Sequence, residues 1–128
     1  MLTRRLALAV AFALATLAPA FAGDEQPFTQ AAFDAAQKDN KSILVEIHAD
    51  WCPTCKAQAP LIKALTEQSE FSGMIVLRVD YDAQKDIVRA FGAQQQSTLI
   101  VFKGAKETGR SVGETSLAPI AALLGTGI

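Results

Sequence analysis

Two spacings of apolar residues alternate along this chain, and each change of spacing marks a predicted element. Short apolar runs rich in β-branched residues are typical of buried strands, whereas apolar residues that recur every three or four positions predict helices. In chain order these patterns predict a helix capped by Thr29 that runs to about Lys38, a strand at 43–48, a helix from Pro53 to about Ser69, a strand at 74–79, a helix capped by Asp82 that ends at Gly92, strands at 98–102 and 107–112, and a helix that begins at Thr115 or Ser116. Residues 23–27 are predicted to be a polar leader without structure.

The connections between these elements predict how the strands pair. A helix joins the first two strands, which makes them parallel, and a tight turn joins the last two, which makes them antiparallel. We therefore predict an α/β fold with a central mixed β-sheet and helices on both faces. The 128 residues, half of them apolar, suit one domain, and we see no repeat or linker that divides them.

The first 22 residues have the pattern of a secretory signal peptide. Arg4 and Arg5 precede an apolar run, and Ala20-Phe21-Ala22 offers a cleavage site of small residues. We expect cleavage after Ala22 and a mature domain of residues 23–128 with no membrane span, because the apolar run is too short to cross a bilayer comfortably. An uncleaved membrane anchor is the alternative. A short signal that contains arginine, on a chain with few cysteines, favours a bacterial periplasm.

The charge balance argues against one class of partner. Without Arg4 and Arg5, 10 basic residues remain against 13 acidic ones, which gives a net charge of −3. No basic stripe is left along the chain, so nucleic acid is not an expected partner.

The candidate chemistry lies where the first predicted strand gives way to a helix. This junction contains the only two cysteines of the chain and its only His and Trp, in the order His48-Ala49-Asp50-Trp51-Cys52-Pro53-Thr54-Cys55. A helix N-terminus offers free N–H groups and a partial positive charge, which stabilise the reactive thiolate form of cysteine. Cys52 is predicted at the N-cap and Pro53 at the first helical position, with Cys55 one turn on and within disulfide reach.

Two other uses of the cysteine pair compete with redox chemistry. A pair spaced in this way suits half of a zinc site, although a closed structural site needs four ligands and the chain has one His and no second pair. A purely structural disulfide is the other alternative, but so small a loop constrains little of the unfolded chain. The position of the pair at a helix N-terminus favours redox chemistry.

The chain resembles the thioredoxin family over roughly residues 30 to 125. The resemblance rests on Trp51 before the first cysteine, on Lys56 after the second, on a helix-kinking Pro60, and on three stretches that follow in family order, Phe91-Gly92, Thr98 to Lys103 and Val112-Gly113. It implies the thioredoxin fold and a thiol–disulfide oxidoreductase, more a reductant than an oxidant. Trp-Cys-Pro-Thr-Cys is also similar to the motif of periplasmic thioredoxin-like reductases of cytochrome c maturation.

The resemblance also implies roles for individual residues. Cys52, the sulfur expected to be more exposed, would attack a substrate disulfide, and Cys55 would resolve the mixed disulfide. Glu46 corresponds to the buried acid of the family and would accept the proton of Cys55, whereas a plain ion pair with Arg78 is its alternative role. The residues expected to bind substrate are Trp51, Pro53, Thr54, Gln96, Ser97 and Gly113.

The resemblance implies partners as well. We expect no cofactor beyond the redox-active Cys52–Cys55 disulfide. The expected partners are protein thiol or disulfide substrates and an upstream thiol that donates electrons. The protein is expected to be a monomer.

Two positions depart from the family. Ser97 stands where the family has a cis-proline, and we predict a trans Gln96–Ser97 peptide because a cis bond before a non-proline residue costs about 2.5–4 kcal/mol. Our hypothesis is that the N–H and hydroxyl of Ser97 bond the Cys52 thiolate, with a neutral replacement as the alternative. His48 stands where thioredoxin has a Trp, and it is either a packing residue or a group that stabilises the thiolate or binds a metal. A metal or iron–sulfur carrier that uses Cys52 and Cys55 is thus the second functional hypothesis.

Overall fold

Residues 25–128, the part of the chain that this computed structural model describes, form a sheet with helices on both faces. The predicted signal peptide, residues 1–22, and its cleavage site lie outside the described residues. The elements in chain order are β1 Glu25–Pro27, α1 Gln30–Lys38, β2 Ser42–His48, α2 Pro53–Thr66, β3 Ile75–Asp80, α3 Lys85–Ala90, β4 Thr98–Lys103, β5 Lys106–Val112 and α4 Leu117–Gly125.

The sheet is mixed, as predicted. Its strand order is β1-β3-β2-β4-β5, so β2 lies at the centre. β2 runs parallel to β3 and antiparallel to β4, and β4 and β5 form the predicted antiparallel pair. Six of the seven residues of β2 are buried, as expected of a strand covered on both faces. The predicted α/β fold is therefore confirmed.

Alternate residues of β2 pack into two separate cores. Ile43, Val45 and Ile47 belong to the core that contains residues of α1 and α3, whereas Leu44 belongs to the core that contains residues of α2 and α4. This follows from strand geometry, because successive side chains point to opposite faces. Glu46 shares the side of Leu44, which places a carboxyl on the face of the sheet that α2 covers.

The first strand is an element that the sequence did not predict. Glu25–Pro27 pairs in parallel with β3, where residues 23–27 were expected to be a leader without structure. Three polar or proline residues carry no apolar alternation, so nothing local predicts a strand there. The strand is held instead by pairing with β3 and by the next residue, Phe28, which is buried and donates its N–H to the carbonyl of Arg78 at 2.8 Å.

The helix ends differ from the prediction mainly at two places: α2 ends at Thr66, three residues before the predicted Ser69, and α3 begins later than predicted. Thr29 caps α1 as predicted, since its hydroxyl accepts from the N–H of Ala32 at 3.1 Å. The prediction that Asp82 caps α3 is wrong. Asp80, at the end of β3, accepts from the N–H groups of Asp82 and Ala83 instead, and this turn delays the start of α3 to Lys85. The Asp82 carboxylate is left free to bond another partner.

Candidate active site

The cysteine pair lies at the N-terminus of α2, as predicted. Cys52 is the N-cap residue, with extended backbone, and Pro53 follows at the first helical position. Cys52 and Cys55 form a disulfide, with their Cα atoms 5.3 Å apart. The Sγ of Cys52 accepts from the N–H of Cys55 at 3.1 Å. This sulfur therefore already occupies the place of a capping oxygen, where a free N–H and the helix dipole favour negative charge.

Both sulfurs are covered in this disulfide form. Cys52 is 1% exposed and Cys55 is 3% exposed, so the expectation that Cys52 is the more exposed of the two is wrong here. In the turn before α2, the N–H of Cys52 donates to the carbonyl of Ala49 at 3.1 Å. Ala49 and Tyr81 then pack against the pair. Access to the sulfurs therefore depends on the residues that surround them.

Trp51 forms an exposed apolar platform beside the pair. It is 56% exposed, and its indole N–H donates to the carboxylate of Asp82 at 2.7 Å. The ring meets that of Tyr81 edge to face, with centroids 6.5 Å apart. Asp82, predicted only as a helix cap, therefore orients the Trp that precedes the first cysteine.

Glu46 is a buried acid with two charged neighbours. It is 4% exposed and lies opposite Arg78 in the pairing of β2 with β3. The Nε of Arg78 donates to Glu46 Oε2 at 3.4 Å, and the same guanidinium pairs with Glu25 of the unpredicted β1. The sequence-based alternative of an ion pair with Arg78 is therefore present in the structure, with a second carboxyl beside it.

The environment of Glu46 favours its protonated form. Burial, first of all, raises the pKa of the Glu46 carboxyl well above its ordinary value, and a hydrogen bond and the negative charge from Glu25 raise it further. Arg78 acts in the opposite direction and does not outweigh them. The carbonyl of Ile47, the next residue along β2, lies 4.0 Å from Cys55 Sγ. A carboxyl that binds its proton more tightly than an ordinary glutamate thus lies on the strand behind Cys55.

The Ser97 loop is joined to β2 by its main chain. No cis peptide occurs in residues 25–128, so the predicted trans Gln96–Ser97 bond is confirmed. The N–H of Ser97 donates to the carbonyl of Ile47 at 2.7 Å. The hypothesis that this N–H bonds Cys52 is therefore wrong, because the neighbouring strand already uses it. The role suggested for the Ser97 hydroxyl stays a prediction.

The structure brings some predicted substrate-binding residues together. The N–H of Gly113, a residue in the left-handed region with φ of 72°, donates to the carbonyl of Ser97 at 3.0 Å. Pro53 and Thr54 lie in the first turn of α2, exposed and half-buried respectively, and Gln96 is half-buried before β4. The loops of Ser97 and Gly113 thus form one unit.

The structure pairs His48 with a neighbouring carboxylate. Its Nε2 lies 3.2 Å from the Asp50 carboxylate. Its side chain helps to line a cavity of about 300 Å³ formed by Glu25, Gln26, Pro27, His48, Asp50, Arg78, Asp80 and Gln84. In residues 25–128 no three or more His, Cys, Asp or Glu side chains are grouped so as to hold a metal ion. The metal-carrier hypothesis therefore gains no support from the described site.

Comparison with known proteins assigns the family. The family model described as Thioredoxin matches residues 25–126. The chain belongs to the thioredoxin family. Its predicted family, fold and enzyme class are thereby confirmed: as a thioredoxin-family protein it is a thiol–disulfide oxidoreductase, and its redox group is a disulfide of the protein itself.

Individual thioredoxins match over much of their length. The thioredoxin of Chlamydia muridarum is 39% identical over 71 residues, which are 56% of this chain and 68% of that protein. Thioredoxin-1 of Saccharomyces cerevisiae is 31% identical over 90 residues, 70% of this chain and 85% of that protein. The crystal structure of Trxlp from Edwardsiella tarda EIB202 superposes with a TM-score of 0.77 and 38% identity, and the match covers 79% of this chain and 98% of that one.

Sequence reasoning missed two residues around this thioredoxin-family site. Glu25 lies in a segment with no strand pattern, and only pairing with β3 brings it to Arg78. Gln58 is buried in α2, and its amide bonds main-chain groups of two loops. A polar residue on the apolar side of a predicted helix is the one sequence signal that points to Gln58.

We expect the change Glu25→Gln to lower the pKa of the Glu46 carboxyl. Burial, the largest cause of the raised pKa, is unchanged, but the negative charge of Glu25 is lost and Arg78 is freed to pair with Glu46. Carboxyl ¹³C NMR titration of glutamate-labelled protein measures this directly. Glu107→Gln is the matched control, because it also removes a carboxylate paired with an arginine on a strand, Arg110. A Glu46 titration that is the same in all three proteins would contradict the assignment.

Proposed function

We propose that this thioredoxin-family protein is an exported, monomeric protein-disulfide reductase of the bacterial periplasm. The observation that carries the choice of a protein substrate is the apolar surface beside the disulfide. Trp51 precedes Cys52 and is 56% exposed, Val112 precedes Gly113 and is 51% exposed, and Leu117 at the start of α4 is 48% exposed. Large apolar side chains left exposed, one of them directly before the reactive cysteine, are typical of a surface that binds another protein.

In the proposed reaction Cys52 attacks the substrate first and Cys55 attacks second. In the reduced protein the Cys52 thiolate, stabilised by the N–H of Cys55, attacks one sulfur of a substrate disulfide. The substrate S–S bond breaks, a mixed disulfide forms, and the other substrate sulfur leaves as a thiolate that takes a proton. Cys55 then attacks Cys52 Sγ and releases the second substrate thiol. Two electrons have passed to the substrate, and the Cys52–Cys55 disulfide is restored.

Glu46 is proposed to accept the proton that Cys55 must lose before this second attack. The carboxyl is buried on the α2 side of the sheet, and its raised pKa makes the ionised carboxylate a stronger base than an ordinary one. An upstream thiol then reduces the Cys52–Cys55 disulfide, so the protein needs a thiol electron donor as well as a substrate.

Two measurements test the reductant assignment. The purified protein is expected to catalyse the reduction of insulin by dithiothreitol, followed as turbidity. Titration against glutathione is expected to give a potential nearer to roughly −270 mV than to roughly −120 mV, the values of reducing and oxidising members of this fold. A value at the oxidising end would reject the direction proposed here, while leaving the oxidoreductase assignment intact.

Export is tested separately. The motif of residues 1–22 supports it. When the full chain is expressed in a bacterium, the protein recovered from the periplasmic fraction is expected to have the mass of a chain that begins at Gly23. Recovery from the cytoplasm with an intact N-terminus would contradict the proposed location.

A further inference from the structure

One buried side chain of α2 joins the redox helix to both loops beside it. Gln58, one turn after Cys55, is 2% exposed. Its Nε2 donates to the carbonyl of Ser97 at 3.2 Å and to the carbonyl of Glu114 at 2.9 Å. The amide orientation follows from these partners, since the opposite flip would set an oxygen against two carbonyl oxygens. Both N–H bonds of the amide are therefore used on the two loops.

The loop of Ser97 needs such support because of its backbone conformation. Ser97 has φ of 61°, in the left-handed region that residues other than glycine rarely adopt. A strained conformation of this kind persists only where its surroundings hold it. Here the N–H of Ser97 is held by Ile47, and its carbonyl is held by the Gly113 N–H and by Gln58. Among these holders, Gln58 alone acts through a side chain.

The same loop lies close to the sulfurs. The carbonyl of Ile47 accepts from the N–H of Ser97 at 2.7 Å and lies 4.0 Å from Cys55 Sγ. A shift of the Ser97 loop would therefore change the surface that a substrate meets beside the disulfide. Ser97 stands where the family has a proline, so no ring restrains the backbone at this position and the loop depends on hydrogen bonds instead.

We propose that Gln58 is a positioning residue for substrate binding, which fixes the loops of Ser97 and Gly113 in the arrangement that receives a protein chain across the Cys52–Cys55 pair. This inference rests on the proposed reduction of protein disulfides. A protein substrate contacts the loops as well as the sulfurs, whereas a small disulfide needs only the sulfurs. Loss of the Gln58 amide therefore weakens the binding of proteins selectively.

Gln58→Met tests this, since methionine has a similar length and no donor. The KM for insulin is expected to rise about tenfold, as expected for two lost hydrogen bonds, with kcat nearly unchanged. Reduction of hydroxyethyl disulfide is expected to stay within about twofold of wild type on the same grounds. An unchanged KM for insulin, or an equal loss for both substrates, would overturn the inference.

Thr66→Val is the matched control. Thr66 is a buried polar residue of the same helix, and its hydroxyl donates to the carbonyls of Ile62 and Lys63 within α2 and not to either loop. The variant therefore loses buried hydrogen bonds without releasing the loops. Its KM for insulin is expected to match that of wild type, even where Thr66→Val loses as much thermal stability as Gln58→Met does. A rise in KM equal to that of Gln58→Met would mean that helix stability and not loop position matters, and would overturn the inference.

A second measurement does not depend on activity. The Gly113 amide, which donates to the Ser97 carbonyl, is expected to exchange its hydrogen about tenfold faster in the oxidised Gln58→Met protein, with central amides of β2 unchanged. Unchanged exchange at Gly113 would overturn the inference. If wild type fails to reduce insulin, the proposed function fails, and this exchange result alone decides whether Gln58 holds the loops.

Discussion

Replacing Cys52 with serine is expected to abolish disulfide reduction, with a loss of at least about 10³-fold in kcat/KM, as is usual when a nucleophile is removed. The Sγ of Cys52 is the atom that receives the N–H of Cys55 at the N-terminus of α2. A thiol there ionises readily, whereas a serine hydroxyl stays protonated at neutral pH and does not attack a disulfide. Insulin turbidity with dithiothreitol measures the loss.

Cys55→Ser gives the paired result, because it removes the second sulfur and keeps the first. The variant is expected to attack substrate once and then to accumulate as a mixed disulfide, which non-reducing electrophoresis and mass spectrometry detect. Captured proteins identify the natural substrates. Full turnover by Cys55→Ser would refute the resolving role. A separate measurement, the rate of alkylation at neutral pH, tests whether the N-terminus of α2 activates Cys52. A rate no faster than that of an ordinary cysteine would refute this activation.

The second largest effect is expected from Glu46→Gln, which changes how the free energy of unfolding depends on pH. Burial, followed by Glu25, raises the pKa of this carboxyl in the folded protein, whereas in the unfolded chain it returns to about 4.3. The folded state therefore holds this proton more tightly. The resulting stabilisation is complete below about pH 4.3 and is lost as the pH rises through the folded pKa, at up to about 1.4 kcal/mol per pH unit.

Glu46→Gln has no such titration. The free energy of unfolding of the variant, relative to wild type, is expected to increase from about pH 4.3 upward and to level off above the folded pKa. Urea unfolding of the oxidised proteins between pH 4 and 9 measures the difference. The control, Glu107→Gln, is expected to give a nearly level difference over this range, because the hydrogen bond from Arg110 lowers the pKa of Glu107 and the resulting stabilisation is lost only as the pH falls below about 4.3. Parallel curves for wild type and Glu46→Gln would show that the fold does not raise the pKa of Glu46.

Strand β1, which the sequence did not predict, changes the set of charges around Glu46. Glu25 reaches Arg78 only because β1 pairs with β3, and it adds a second carboxyl to what would otherwise be a simple pair of Glu46 with Arg78. The proton affinity of the buried acid is thus set partly by a segment that lies far from it in sequence.

The sequence by itself determined the features that depend on neighbours along the chain. Apolar spacing predicted the strands and helices from α1 onward, a cap signal placed Thr29, and the junction of strand and helix placed Cys52 at an N-cap. The length of the connections determined which strands run parallel. Each of these rests on periodicity or on hydrogen bonds within a few residues, so a local pattern is sufficient evidence.

Only the tertiary structure decided the contacts between segments that are distant in sequence. The pairing of β1 with β3, the bond from the Ser97 N–H to Ile47 and the bonds from Gln58 to two loops each join residues brought together by the packed sheet. The same holds for the covered sulfur of Cys52 and the raised pKa of Glu46. Burial and long-range hydrogen bonds are set by what the whole fold places around a group, and no local pattern of residues contains that information.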